Sequence, residues 1–124
     1  MKFEYFNPVN EKGSCIQRSI SKVLDKDYFE VKNELIKFSK ELNKDDFREI
    51  EVFEKYLFDN DFKKLDISDI LVRNLNLKNG KYIVFCFKDN GYHMIPIIDS
   101  VIYDKSEDSL DLIVIKVYKL EKEI

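Results

Sequence analysis

The dipeptide Asn79-Gly80 divides the chain into two stretches of different periodicity. Before it, apolar residues recur at three- and four-residue spacing; after it come runs rich in β-branched and aromatic residues. The first spacing buries one stripe of a helix, and the second kind of run buries a strand. Helices followed by strands, rather than the two in alternation, restrict the chain to an α+β layout.

Within the first stretch, Ile16, Ile20, Val23 and Leu24 fall at i, i+4, i+7 and i+8, on one helical face. Ser14 and Gln17 fit a capping box, S-x-x-Q, that starts this helix at Cys15. Asp27 heads a second helix with Val31, Leu35, Phe38 and Leu42 on one stripe, ending near Asn43. The charge-rich E-L-N-K-D-D-F-R-E-I-E reads as a solvated connection. A third helix, Arg48 to Asn60, carries Ile50, Phe53, Tyr56 and Leu57, and a short fourth spans Ser68 to Asn76. After Gly80, K-Y-I-V-F-C-F, Y-H-M-I-P-I-I, V-I-Y and L-I-V-I-K-V-Y read as strands of an antiparallel meander. Their turns fall at Asp89-Asn90-Gly91, Asp99-Ser100 and Ser106 to Ser109. A chain of 124 residues suits one domain, 1–124, with N-terminal helices packed on a C-terminal antiparallel sheet.

Lys+Arg and Asp+Glu counts of 21 and 24 leave a net charge of -3, which gives no electrostatic reason to expect a nucleic-acid partner. No apolar run approaches the roughly 20 residues of a membrane span, and M-K-F-E-Y-F-N-P lacks the apolar core of a signal peptide. The expectation is a cytoplasmic protein without a membrane partner. Cys15 and Cys86 lie far apart and outside any C-x-x-C spacing, so both read as free thiols. No glycine-rich phosphate loop, H-E-x-x-H or carboxylate cluster is present, and no cofactor or metal is expected. The ten Phe and seven Tyr fall on faces that need filling and read as core.

Chemistry enters at G-S-C-I-Q-R-S-I-S-K-V-L. A thiol at a helix N-terminus faces unsatisfied N–H groups and the positive end of the helix dipole, both of which favour the thiolate. The same amides can serve an oxyanion. A base is also needed, and the chain has one histidine, His93. If Asp99 and Ser100 form a two-residue hairpin, Ile98 faces Val101 and Ile95 faces Asp104. His93 and Asp104 are then diagonal neighbours on one face, about 7–8 Å apart by backbone. The carboxylate could hold the imidazole in the tautomer that accepts the thiol proton. Taken one at a time, Cys15 also fits a small buried residue, His93 a half-exposed strand position and Asp104 a strand end.

The stretches F-x-Y-x-N-P, G-S-C-I-Q-R-S-I-S-K-V-L-D-K-D-Y-F-E-V-K-N-E-L, V-F-E-K-Y-L-F-D-N-D-F-K-K-L and G-K-Y-I-V-F, followed by H-M-I-P-I-I-D-S-V-I-Y-D, cover most of the chain. Together they resemble small papain-like cysteine peptidase-related proteins of bacteria and phages, whose pattern is approximately N-P, G-D-C-x-x-R-A and H-x-x-x-x-x-D-G-x-x-x-D. The resemblance implies a papain-like fold with Cys15 as nucleophile, His93 as base and Asp104 as orienting acid. Ser14 stands in place of the family's acid, Ser19 of its small apolar residue and Ser100 of its turn glycine; the Trp that often follows the last Asp is absent. The last of the three replacements, Ser100, touches the triad hairpin. In papain-like enzymes an Asn or Gln a few residues before the cysteine completes the oxyanion hole. Asn10 is the first candidate and Asn7 the second, with Gln17 left to capping. Arg18, two positions off the apolar stripe, reads as part of a solvated face. Cys86, mid-strand and alternating with Ile83 and Phe85, reads as core filler.

The functional expectation is a papain-like cysteine hydrolase, a peptidase or isopeptidase acting on a short peptide or a protein tail. Acyl transfer and deamidation would use the same parts. The alternative is a catalytically inactive papain-like domain that binds a protein partner, such as a phage-encoded interference module, marked by a buried Cys15 or a His93 turned away. A third reading is a structural α+β domain in which the Cys, His, Asp order is coincidence.

Overall fold

Three helices and a six-stranded sheet make up a computed structural model that describes residues 1–88 and 91–121. The elements are β1 (Lys2–Tyr5), α1 (Cys15–Leu24), α2 (Tyr28–Glu41), α3 (Ile50–Asp59), β2 (Phe62–Leu65), β3 (Lys81–Lys88), β4 (Gly91–Ile98), β5 (Val101–Asp104) and β6 (Ile113–Leu120). Two short 3₁₀ turns, Val72–Asn74 and Glu107–Asp111, complete them. The fold is α+β, as the periodicities imply.

The helical stripes set the packing. Ile16, Ile20 and Val23 of α1, Val31 and Leu35 of α2, and Val52, Phe53, Tyr56 and Leu57 of α3 are buried in one cluster with Ile83, Phe85 and Met94 of the sheet. Asp27 caps α2 by accepting from the N–H groups of Phe29 and Glu30. α1 stops at Leu24 because Asp25 turns left-handed, with φ 54°. The opposite face of the sheet is covered as well. Tyr82, Val84, Cys86, Ile95 and Ile97 pack there with Val72 and Leu75 from the connection after β2. A sheet buried on both faces explains why β3 reads as an almost unbroken apolar run. Cys86 is fully buried on this side, opposite Ile83 and Phe85.

The sheet is not a simple meander. Its order is β1-β5-β4-β3-β6-β2, so β6 returns beside β3 instead of following β5. The free edge of β5 is taken by β1, in parallel, with Lys2 opposite Val101 and Tyr5 opposite Asp104. β2 adds antiparallel to β6. The expected fourth helix is reduced to the turn Val72–Asn74. Its backbone is drawn to β6 instead: Asp69 N–H donates to Val114 C=O, Val114 N–H to Ile70 C=O, and Val72 N–H to Leu112 C=O. Three long-range bonds outweigh a short stretch of helical spacing. In the exposed connection before α3, Phe47 is buried and joins the helical core. Of the expected turn Asp89-Asn90-Gly91, residues 89 and 90 lie outside the described residues. Among the described residues no helix is long and apolar enough to cross a membrane.

Candidate active site

The hairpin at Asp99-Ser100 fixes the site. Both residues have positive φ, 49° and 66°, which is the type I′ geometry that matches strand twist. Ile98 faces Val101 and Ile97 faces Ile102, the register expected from a two-residue turn. There the β4–β5 ladder ends. In such a hairpin residues 98, 96 and 94 direct their backbone groups toward β5, and Pro96 has no N–H to offer. The strands are free to part beyond it.

α1 enters where β5 lets go. Ser19 Oγ donates to the Met94 carbonyl at 3.0 Å, and the Met94 backbone is near enough to the Cys15 thiol to favour its ionised form. Both groups sit on the edge of β4 that a longer β5 would have paired. Cys15 itself is the first residue of α1 and is half-buried against the helical core.

Across the gap, His93 Nε2 lies 2.7 Å from Asp104 Oδ2. The Cys15 thiol lies close enough to the imidazole for each to shift the other's proton affinity, and with Nε2 engaged by the carboxylate the nitrogen left for sulfur is Nδ1. The structure therefore brings Cys15, His93 and Asp104 together, in that order. Asp104 is saturated: Oδ1 accepts from Arg18 Nη2 at 2.9 Å and from Lys105 N–H at 2.7 Å, while Oδ2 also accepts from Ser109 Oγ.

Electrostatics follow from these contacts. Burial pushes the Cys15 thiol up, but the His93 hydrogen bond and charge, the Met94 backbone and the Arg18 charge outweigh it, and the net shift is below the usual 9.0. Burial lowers His93, yet its bonds to Asp104 and Cys15 carry it from 6.5 to about 9. Burial raises Asp104, while His93, Ser109 and the Lys105 N–H hold it at about 2. Such a set favours thiolate, imidazolium and carboxylate together. Cys86, directly opposite His93 on β3, is pushed by burial and by Asp104 up to about 12. It stays a neutral thiol.

Two expectations for the start of α1 are corrected. Ser14 makes no side-chain cap bond: its backbone is αR (φ -93°, ψ -3°) rather than extended, and its Oγ accepts from Arg18 Nη1 at 2.6 Å. Gln17 does not close a capping box either; it is buried and its Nε2 donates to Tyr28 Oη at 3.0 Å. The first-turn amides of α1 are thus left without a side-chain cap, facing the sulfur's end of the helix. Arg18 is not on a solvated face: it is 1% exposed. The position off the apolar stripe was visible in the sequence, but its buried acidic partner lies 86 residues away. Asn10 is exposed, with no side-chain hydrogen bond among the described residues, and Asn7 is half-buried with Oδ1 unpartnered.

An apolar cleft of about 370 Å³ opens between the head of α3 and the sheet, lined by neighbours of the three residues rather than by the three themselves. Ile50, Phe53, Phe85, Tyr92 and Ile115 line it. Its position is fixed by neighbours of the site: Tyr92 precedes His93, Phe85 pairs with Met94, and Arg48 at its rim donates from Nε to the Gly13 carbonyl at 3.0 Å. Ile115 is the residue skipped where the β3–β6 register shifts, a bulge that turns it toward the cleft. At the rim Arg48 is paired with Asp46 and Lys116 with Glu54, while Glu49 has no ion pair among the described residues and accepts from the Asp46 N–H.

Compared with known protein families, curated proteins and solved structures, the chain shows no significant match.

Proposed function

We propose that this chain is a cysteine hydrolase of papain-like fold that cleaves an amide bond in a peptide or protein, as a peptidase or isopeptidase. The observation that carries the reading is the placement of His93, bonded to Asp104 at Nε2 and near enough to Cys15 for the two to shift each other's proton affinity. The chain order Cys, His, Asp and the helix-start position of the thiol support it.

In the proposed reaction the Cys15 thiolate attacks the carbonyl carbon, and the carbonyl π pair moves to oxygen. The Cys15 N–H, uncapped at the head of α1, donates to that oxyanion, with Asn10 of the preceding loop as the side-chain donor. His93 gives its Nδ1 proton to the departing amine as the C–N bond breaks, leaving a thioester. Water then attacks the thioester while Nδ1 takes its proton, and the acid leaves with return of the thiolate–imidazolium pair. Asp104 stays ionised and holds the ring throughout. The neighbouring cleft, apolar within and with Arg48, Glu49 and Lys116 at its rim, suits an aliphatic or aromatic side chain of the acyl-side peptide.

The test is the rate of Cys15 alkylation by iodoacetamide against pH, in the parent and in His93→Ala, with Cys86→Ala in both. Reaction that persists below about pH 6 and is lost with His93 supports the pair. A rise near the free-thiol value of about 8.5, indifferent to His93, rules the hydrolase out. It would return the chain to the reading of a binding module.

A further inference from the structure

We propose that Arg18 is a positioning residue of this site, tying the helix that carries the thiol to the carboxylate that orients the imidazole. The inference rests on the hydrolase reading above. Its first support is geometric. The guanidinium is anchored at Nη1 on Ser14, the residue before the nucleophile, and at Nη2 on Asp104, the acid. One rigid planar group thereby spans the two ends of the series Cys15, His93, Asp104 and sets how far the α1 head stands from β5.

Its second support is that stability alone does not account for the residue. Arg18 is 1% exposed and its Nε is buried with no partner. A buried cation with an unpaired N–H carries a desolvation cost that an apolar side chain of similar size would not, and such replacements are often neutral or stabilising. An arginine kept at the junction of α1 and β5 is best explained by what it holds. Ser14 supplies the third support. Its hydroxyl is turned to Arg18 and does not cap α1, so the amides beside the sulfur have no side-chain cap.

Charge acts in the same direction. The groups that face the guanidinium and its carboxylate come from every neighbouring element: Cys15 on α1, Cys86 on β3, His93 on β4, Asp104 on β5 and Ser109 in the turn Glu107–Asp111. Among these, Arg18 is the permanent cation, and its field favours the thiolate whatever the state of His93. Removing it leaves Asp104 with three donors instead of four and leaves the thiol beside an unbalanced carboxylate.

The experiment compares Arg18→Gln and Arg18→Lys with the parent, all carrying Cys86→Ala, by the pH midpoint of Cys15 alkylation, with circular dichroism as the check on folding. Gln keeps a donor but loses the charge; Lys keeps the charge but has one nitrogen for two anchors. The midpoint is expected to rise by about one pH unit in R18Q and by about half that in R18K. A purely structural role would lower the melting temperature and leave the midpoint in place. A folded R18Q with the parental midpoint overturns the proposal; if R18Q does not fold, R18K at the parental midpoint does so. A parent whose Cys15 behaves as a free thiol, indifferent to His93→Ala, sinks the hydrolase reading and Arg18's role with it. An activated parent matched by its Arg18 variants sinks the Arg18 assignment alone.

Discussion

The hydroxyl of Ser109 donates to Oδ2 of Asp104. That is the same oxygen that holds His93, so the turn Glu107–Asp111 fixes the angle at which the carboxylate meets the imidazole. Ser109→Ala removes a buried bond to a charge and is expected to cost about 1–3 kcal/mol in urea unfolding at neutral pH. The bond also helps depress Asp104, so the acid-unfolding midpoint should move to higher pH. Unchanged stability with an unchanged acid midpoint would contradict the bond's role.

The pair of His93 and Asp104 predicts a definite pH window. His93 is raised from 6.5 to about 9, so its contribution is complete below 6.5 and disappears as pH rises through about 9. Asp104 is lowered from 3.8 to about 2, so its contribution is complete above 3.8 and disappears as pH falls through about 2. The stability advantage of the parent over Asp104→Asn should therefore be greatest between 3.8 and 6.5, on the order of 2–3 kcal/mol. Denaturant midpoints measured across this range check it; a difference that does not vary with pH would show that the pair is not ionised.

Tyr28 offers a contrast of stability without chemistry. Its Oη accepts from Gln17 Nε2 and donates to Glu11 Oε2 at 2.7 Å. Gln17 Oε1 is already buried without a partner, so Tyr28→Phe leaves the whole Gln17 amide unpaired. A loss of about 1–3 kcal/mol is expected, with the alkylation midpoint of Cys15 unmoved. Movement of that midpoint would mean that the Gln17 network reaches the thiol.

The cleft gives a separation between small and large reagents. Ile50→Trp fills part of the space between α3 and β3. Inactivation by a peptidyl electrophile bearing Phe or Leu should slow by about tenfold or more, whereas iodoacetamide, which needs no cleft, should react as before. Equal slowing of both would place the effect on the thiol itself.

Much of this site could be read from local patterns. The helix beginning at Cys15 follows from its stripe, and the hairpin that aligns His93 with Asp104 follows from a two-residue turn between β-rich runs. What local patterns could not supply are partners distant in the chain. Arg18 off the stripe looks like any surface arginine until Asp104 is folded against it, and Ser14 looks like a cap until Arg18 claims its hydroxyl. The segment around Val72 has helical spacing, but β6 competes for its backbone. Pro96 was the overlooked signal: a residue without an N–H, midway along a strand, marks where the ladder to β5 gives out and α1 can enter.

The parallel pairing of β1 with β5 joins Lys2–Tyr5 to Val101–Asp104, and the Arg18–Asp104 bridge spans almost as much of the chain. Contacts of such separation form late and cannot form at all until the distal strand has been synthesised. Until residues 93 and 104 have been made, a nascent chain therefore carries Cys15 with neither His93 nor Asp104 beside it. On the proposed reading, the thiol gains its partners only once β5 has emerged and docked, so its activation would report completion of the sheet.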